Sequence, residues 1–233
     1  MIDWKRELQI CIEKNPEKNT SEAVYTTLLN AIISFKLKPG EKLVILNLSK
    51  EMGVSMTPVR DAIKRLGDDN LIKISEGKRA FVPEFDQEEY NKMQYYRQTL
   101  ETLGAVLACE KASDEMIEKM CQCVEENVHI YETLRINMAL QATLINKDLE
   151  FHRMTIHSSE NQMLIEQYEM LIPRILFSRQ FFTPLNFTPI EYHHLHRLIA
   201  QTLRVRDQAL MRKVMDLHFR SISTASRLNE PIF

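Results

Sequence analysis

From Asp86 almost to its end, this sequence carries apolar residues at helical spacing, interrupted at only a few places. We expect helices to break near residues 112–114, 135–137, 158–161, 183–189 and 206–207, which gives about six helices. With five glycines and eight prolines in 233 residues, the composition also favours helices over a many-stranded sheet. The second half of the chain is therefore predicted to be an all-α bundle, and the fold class is mainly α.

The residues before Asp86 begin with a charged and helical extension. A helix follows, for which Thr20 or Ser21 is the expected N-cap. Its apolar positions at helical spacing are Val24, Leu28, Ile32 and Phe35. A short helix is expected around 45–52, closed by Gly53 just beyond its C-terminus.

Thr57 and Pro58 predict the start of a further helix, with Thr57 as N-cap and Pro58 in the first turn, where its missing N–H costs nothing. The runs 71–74 and 80–82 then predict a β-hairpin. Helix, short helix, turn, Pro-initiated helix and hairpin is the order of a winged helix-turn-helix. We therefore predict an N-terminal extension over residues 1–20, a winged helix-turn-helix DNA-binding domain over 21–84, and an all-helical domain over 85–230.

The Pro-initiated helix carries a buried stripe and a basic face. Its apolar residues are Val59, Ala62, Ile63 and Leu66, which leaves Arg60 and Lys64 on the opposite side. Such a helix can enter the major groove, where arginine bridges guanine O6 and N7. The predicted DNA contacts are Ser55 and Thr57 on phosphates, Arg60 and Lys64 on the helix, and Lys78 and Arg79 at the hairpin tip. The alternative is that these cations only solvate a surface.

Charge and hydropathy narrow the class of protein further. Residues 21–84 carry a net charge of +2 and residues 85–233 one of −4, and this mild asymmetry supports nucleic-acid binding only weakly. No apolar run approaches the roughly 20 residues that cross a bilayer, and the charged start at Trp4-Lys5-Arg6 differs from a secretion signal. We therefore expect a cytoplasmic protein without membrane contact, whose four cysteines, lacking CxxC spacing, are reduced thiols.

Three helices of the second half each place a metal-competent residue within an apolar stripe. These residues are Asp148 and His152 one turn apart, then His196, then His218. Burying them without partners would cost several kcal/mol, and a divalent metal removes that cost because it binds carboxylate and neutral imidazoles together. Zn²⁺ is the expected metal, with Ni²⁺ or Mn²⁺ as alternatives. The competing interpretation is a set of hydrogen-bonded core histidines.

Other polar residues of this half are assigned as follows. His193 and His194 compete with His196 for the third position, but the apolar stripe favours His196, whereas His157 is expected to be structural or exposed. Arg97 is a candidate for binding a ligand carboxylate, since arginine makes bidentate contacts with carboxylates. An ion pair between Arg97 and Glu101 is the alternative. Arg174 is a second candidate for ligand binding.

The N-terminal residues resemble the DNA-binding domain of the GntR family. The matching stretches are LKPGEKL at 37–43, MGVS at 52–55 and TPVRDAIKRL at 57–66. The resemblance implies that Arg60 contacts DNA and that the segment from Ser55 to Thr57 meets the phosphates. Leu46 and Met56 depart from the pattern, because family members often have arginine there, and Arg79 replaces the usual wing-tip glycine. These departures imply an unusual operator.

Residues 88–226 resemble the all-helical FCD effector domain of the FadR subfamily. The matching stretches are YRQTLE at 96–101, DLEFH at 148–152 and SEN at 159–161, followed by His196, Asp207 and His218. In metal-binding members the equivalents of Asp148, His152, His196 and His218 are the ligands. The resemblance implies a repressor whose DNA binding is relieved by a ligand, with activation as the alternative.

Together these patterns predict a homodimer that reads an approximately palindromic operator and senses a small organic acid. Two alternatives are a metal-dependent hydrolase, and a ligand-binding protein that has lost DNA binding. Against the hydrolase, no carboxylate near His152 or His196 is evident in the sequence as a general base. We therefore expect a regulator and not an enzyme.

Overall fold

A computed structural model describes residues 2–75, 79–84, 87–133, 138–182 and 190–227. Within these ranges the backbone forms ten helices and three short strands. The helices are α1 (Trp4–Lys14), α2 (Thr20–Ile33), α3 (Ile45–Met52), α4 (Met56–Asp68), α5 (Gln87–Lys111), α6 (Asp114–Thr133), α7 (Met138–His157), α8 (Gln162–Phe182), α9 (Ile190–Val205) and α10 (Gln208–Arg227). The strands are β1 (Lys42–Leu43), β2 (Lys73–Ile74) and β3 (Ala80–Phe81).

The chain divides into two compact units. The first contains Met1–Tyr90 together with Ile172–Phe181, and the second contains Asn91–Leu171 together with the described residues from Phe182 onward. Helix α8 therefore contributes its first half to the second unit and most of its second half to the first. Within the first unit, the rings of Phe35 and Phe177 stack with centroids 6.4 Å apart.

The first unit is a winged helix-turn-helix preceded by an added helix. Helix α1 is amphipathic and buries Trp4, Leu8 and Cys11, which follow one another at helical spacing. The N-terminal extension expected from the sequence is therefore a helix that packs against α2 and α3. Gly53 closes α3 in the left-handed conformation with φ +71°, as predicted. The buried stripe of α4 consists of Val59, Ala62, Ile63 and Leu66, also as predicted.

Two helix starts differ from the sequence prediction. Asn19, not Thr20 or Ser21, caps α2, because its side chain accepts a hydrogen bond from the Glu22 backbone N–H at 3.0 Å. Ser55 occupies the N-cap position of α4, so Thr57 lies inside the first turn together with Pro58. Threonine and serine both suit caps, so residue type alone could not choose between neighbouring positions.

The wing is a three-stranded sheet in which β3 lies between β1 and β2 and is antiparallel to both. Phe81 pairs with Lys42 on one side and with Lys73 on the other. The hairpin of β2 and β3 was predicted, although both strands are shorter than the apolar runs. Strand β1 was not predicted, since two residues beside Pro39 and Gly40 give no detectable alternation.

The described residues after 86 form six helices, α5 to α10, as the periodicity predicted. Three of the five expected breaks, 112–114, 158–161 and 206–207, fall at boundaries between helices, while the other two, 135–137 and 183–189, lie outside the described residues. The core consists of apolar residues of α5, α6, α9 and α10 with Phe151 of α7. Helices α5 and α7 approach closely at Gly104, where a Cβ atom would lie 3.3 Å from the Ile156 Cα. This core brings polar residues of α7, α9 and α10 to one place.

Candidate metal centre and nucleic-acid interface

The four residues predicted as metal ligands converge inside the helical unit. Asp148 and His152 lie one turn apart on α7, His196 lies on α9 and His218 on α10. A coordinating atom of each histidine lies within 4.8 Å of those of the other two. The Nε2 atoms of His152 and His196 are 3.0 Å apart, and Oδ1 of Asp148 lies 3.0 Å from His196 Nε2 and 3.8 Å from His152 Nε2. All four residues are buried.

These separations fit donors around a single cation. Donor atoms at about 2.0–2.2 Å from one metal ion lie about 3.3–3.6 Å apart in a tetrahedron, and about 2.8–3.1 Å apart in an octahedron. The two observed distances of 3.0 Å match the octahedral range, and the third, 3.8 Å, is 0.2 Å beyond the tetrahedral range. The donor set, one carboxylate and three imidazoles, is one that Zn²⁺ and Ni²⁺ accept. The residues present therefore fit a divalent metal.

Burial keeps His152 and His218 in the form that binds metals. Burial lowers the pKa of His152 to about 4, although the nearby carboxylates of Glu101 and Asp148 act in the opposite direction. Burial also lowers the pKa of His218 well below its usual range, and the neighbouring rings of His196 and His152 act in the same direction. Neutral imidazole has a lone pair for coordination, whereas imidazolium has none.

Aromatic rings enclose the three histidines. Phe151 meets the rings of His152 and His196 edge-on at centroid distances of 5.4 and 5.3 Å, and Phe219 meets His218 at 5.1 Å. Apolar walls limit the water that can compete for the ligands and lower the local dielectric.

Glu101 of α5 is the neighbour of this site that the sequence interpretation missed. Its Oε2 atom lies 3.0 Å from Nδ1 of His152, on the side of the ring that faces away from the other ligands. The sequence did not make this carboxylate beside His152 evident. The sequence signal was present, because Glu101 follows Arg97 by one helical turn, but it indicated only an ion pair.

Three side chains hold Glu101. Arg97 donates from Nε to Oε1 at 2.7 Å and from a terminal nitrogen to Oε2 at 3.4 Å, and the Tyr168 hydroxyl donates to Oε1 at 2.8 Å. Burial acts to raise the pKa of Glu101, but Arg97, His152 and these hydrogen bonds together hold it below its ordinary value. Glu101 is thus an engaged carboxylate, unsuited to act as a general base.

The two arginines predicted to bind a ligand lie in different environments. Arg97 is buried and makes the ion pair with Glu101, which was the alternative interpretation. Arg174 belongs to the α8 segment that clusters with the first unit, and its buried Nε has no hydrogen-bond partner among the residues that the structure describes. Contact of either arginine with a ligand carboxylate stays a prediction.

His157 is exposed and paired, within the expectation that it is structural or exposed, and the two competitors of His196 are described as far as the structure allows. His157 Nε2 lies 2.8 Å from Glu169 and its side chain is half exposed. His194 is also half exposed, 3.9 Å from Glu132. The side chain of His193 lies outside the described residues.

The predicted DNA-contacting residues that the structure describes are exposed. Ser55, Thr57, Arg60 and Lys64 lie on the first three turns of α4 or at its cap, opposite the buried stripe. Arg79 is exposed beside β3, whereas Lys78 lies outside the described residues. Leu46 and Met56 are 50% and 46% exposed, so two apolar side chains accompany the polar ones on this unit.

A winged helix-turn-helix joined to a helical unit that encloses a buried ligand-type site defines a DNA-binding regulator with a sensing domain. Residues 20–82 match the profile "Bacterial regulatory proteins, gntR family", and residues 93–221 match that of the FCD domain. The chain belongs to the GntR family of transcription regulators and carries an FCD effector domain.

Known regulators resemble the chain over most or part of its length. It is 24% identical to the transcriptional repressor RspR of Escherichia coli K12, over 91% of both chains. It is 27% identical to McbR of the same organism over 60% of this chain and 61% of McbR, so this match spans less than two thirds of McbR. The solved E. coli McbR/YncC structure superimposes with a TM-score of 0.72 at 22% identity, over 91% of this chain and 100% of that one. That likeness shows the fold. Among the described helices, none is long and apolar enough to cross a membrane.

Proposed function

We propose that this regulator is a cytoplasmic, homodimeric repressor that senses a small organic acid through a divalent metal in its helical domain. The observation that carries the proposal is the convergence of Asp148, His152, His196 and His218 within a buried space. Zn²⁺ is the favoured metal because imidazole nitrogen and carboxylate oxygen are among its usual protein ligands, with Ni²⁺ or Mn²⁺ as alternatives.

The charges of the buried site favour an anionic effector. Asp148 and Glu101 are buried carboxylates, and Arg97 is a buried guanidinium, so these residues together carry one net negative charge. A divalent cation held by these four residues would supply a Lewis acid, and it would change the net charge of the site to positive. A carboxylate is the simplest ligand that matches both features. Arg97 and Arg174 are the cations proposed to assist in its binding.

The DNA-binding part of the proposal assigns roles to residues of α4 and the wing. Arg60 reads a base edge, Ser55 and Thr57 bind phosphates at the start of the helix, and Lys64 adds charge near the backbone. Lys78 and Arg79 of the wing reach the adjacent backbone or minor groove. In a homodimer, two copies of α4 meet successive half-sites of a palindromic operator.

Repression relieved by the effector is the proposed direction of regulation. RspR, which matches 91% of this chain, is itself named a transcriptional repressor. An effector can shift DNA binding only through different affinities for the DNA-bound and the free arrangement. The effector therefore weakens operator binding if it binds the free arrangement more tightly.

Two measurements test the proposal. Native mass spectrometry with elemental analysis of the purified protein should show a dimer with about one metal ion per chain. Gel-shift assays with the upstream region of its own operon should show a retarded band that candidate carboxylic acids weaken. A metal-free monomer, or no retarded band even at low salt, would contradict the proposal.

A further inference from the structure

The second ring nitrogen of His152 faces a carboxylate that is not one of the proposed ligands. Nδ1 of His152 lies 3.0 Å from Oε2 of Glu101, whereas Nε2 lies 3.0 Å from Nε2 of His196. We propose that Glu101 is a positioning residue, which fixes the tautomer and the orientation of His152 so that its Nε2 lone pair faces the metal. This inference rests on the proposed metal site.

The hydrogen-bond chemistry selects one tautomer. An ionised carboxylate only accepts hydrogen bonds, so the proton of the neutral His152 ring is on Nδ1 and is donated to Glu101. The lone pair is then on Nε2, beside Asp148 and His196. In the other tautomer the Nδ1 lone pair would face the Glu101 carboxylate, which is repulsive, and the proton on Nε2 would leave no lone pair there for a metal. A hydrogen-bonded carboxylate also increases the basicity of a coordinating imidazole.

Glu101 can orient His152 because Glu101 is itself held from two helices. Arg97, one turn away on α5, and Tyr168 of α8 both donate to Oε1, which leaves Oε2 directed at His152. Glu101 is 1% exposed and Arg97 is 2% exposed. In this buried, low-dielectric environment each hydrogen bond is stronger, and its geometry better defined, than in water.

Folding stability alone is a weak reason for this arrangement. Replacing a buried ion pair with apolar residues of similar volume is often neutral or stabilising, because desolvation offsets the attraction. The Arg97–Glu101 pair lies one hydrogen bond from a proposed ligand, His152. Glu101 is on the Nδ1 side of that ring, and only a partner on this side can hold the Nδ1 proton while Nε2 faces the other ligands. The positioning role accounts for the location of the pair.

The test compares Zn²⁺ affinity, measured by competition with a chelator, in the full chain and in variants. Glu101→Gln keeps the shape but removes the charge, and we expect Zn²⁺ to bind about 10–100-fold more weakly. This change leaves the charged Arg97 buried beside a neutral side chain, which can destabilise the fold. If the single variant is unstable, the double variant Arg97→Gln/Glu101→Gln replaces it, and we expect the same loss of Zn²⁺ affinity. Glu118→Gln is the matched control, since it removes one carboxylate from a surface ion pair with Arg204 and should leave the affinity unchanged.

A second readout observes the tautomer directly. Long-range ¹H–¹⁵N spectra of histidine-labelled wild-type protein, with and without Zn²⁺, should show the His152 proton on Nδ1, and folded Glu101 variants should lose this preference. Equal Zn²⁺ affinity in a folded Glu101 variant, or a wild-type proton on Nε2, would overturn the positioning role. Failure of the wild-type protein to bind Zn²⁺ would instead contradict the metal site itself.

Discussion

The Nε2 atoms of His152 and His196 lie 3.0 Å apart although 44 positions separate the two residues in the sequence. Helices α7 and α9 bring them together by packing their apolar stripes against α6 and the common core. Two buried nitrogens at this distance, with a carboxylate oxygen 3.0 Å from one of them, are arranged as neighbouring ligands of a cation would be.

Removing a ligand should remove the metal. His196→Ala and His218→Ala should each abolish retention of metal through dialysis, because each leaves the site with one imidazole fewer. The matched control is His194→Ala, which changes an exposed histidine close to His196 in sequence and should retain a full equivalent. Elemental analysis of dialysed protein measures the result. Loss of metal in His194→Ala with retention in His196→Ala would show that the third ligand is wrongly assigned.

Removing the metal should lower the thermal stability. A ligand present at about 100 times its dissociation constant stabilises the folded state by about 2.7 kcal/mol. For a domain of this size that corresponds to a decrease in Tm of roughly 5–10 °C when the metal is chelated. Differential scanning calorimetry with and without a chelator measures the shift, and the His218→Ala protein, as control, should show no response to the chelator.

Substitutions on α4 should separate base recognition from charge. Arg60→Ala should cost about 1–3 kcal/mol of binding, about 5- to 150-fold in affinity, and should relax sequence preference. Lys64→Ala should weaken binding to all sequences and reduce the slope of the salt dependence by about 1. Fluorescence anisotropy at several salt concentrations measures the affinity and its salt dependence. Lys36→Ala is the control, because it removes a cation of the same unit that is paired with Glu7. A larger effect of Lys36→Ala than of Arg60→Ala would contradict the assignment of the recognition face.

Gly104 should tolerate no larger side chain. In Gly104→Ala the new methyl group would overlap the Ile156 side chain and press on its backbone, so we expect a loss of about 1–3 kcal/mol in the free energy of unfolding. Gly67→Ala is the control, because its methyl group would meet only the half-exposed end of Ile74, 3.0 Å away. That change should be neutral, or stabilising by up to about 1 kcal/mol. Denaturant unfolding compares the two, and equal effects would contradict the close approach of α5 and α7.

The thiols should be unreactive in the folded protein. Cys11, Cys109, Cys121 and Cys123 are all buried and reduced. Burial raises the pKa of Cys109 and of Cys123 to about 11, so at pH 8 only about one in a thousand of these groups is the reactive thiolate. A thiol reagent at pH 8 should therefore label Cys109 and Cys123 only after unfolding in guanidinium. Rapid labelling of either residue in the native state would contradict the packing of α5 or α6.

Much of the fold was predictable because it depends on local patterns. The stripe of α4, the glycine end of α3 and the six helices of the second unit follow from apolar spacing and helix-terminating residues. The predictions failed where the determining contact was short or subtle. The cap of α2 is Asn19, one position before the expected residues, and β1 consists of two residues that are extended only because β3 pairs with them.

The candidate site was predictable to the extent that its residues interrupt apolar stripes. The four predicted ligands each lie at a buried position of a helix, and an apolar stripe in the sequence predicts which positions are buried. These residues are Asp148, His152, His196 and His218. Glu101 was missed as a partner of His152 because its bond crosses from α5 to α7, and helical spacing within α5 indicates only Arg97. Contacts between helices far apart in sequence need the packed structure.

Helix α8 carries a consequence for the way this protein can be divided. A fragment that stops at the sequence boundary near residue 84 would lack Ile172–Phe181 and would leave the ring of Phe35 without its stacked neighbour Phe177. In chimeric regulators made by exchanging sensing domains at that boundary, the residue that packs on Phe35 in place of Phe177 would come from another protein. The DNA-binding unit is thus completed by residues that come from the sensing part of the chain. A chimera that omits them should express poorly.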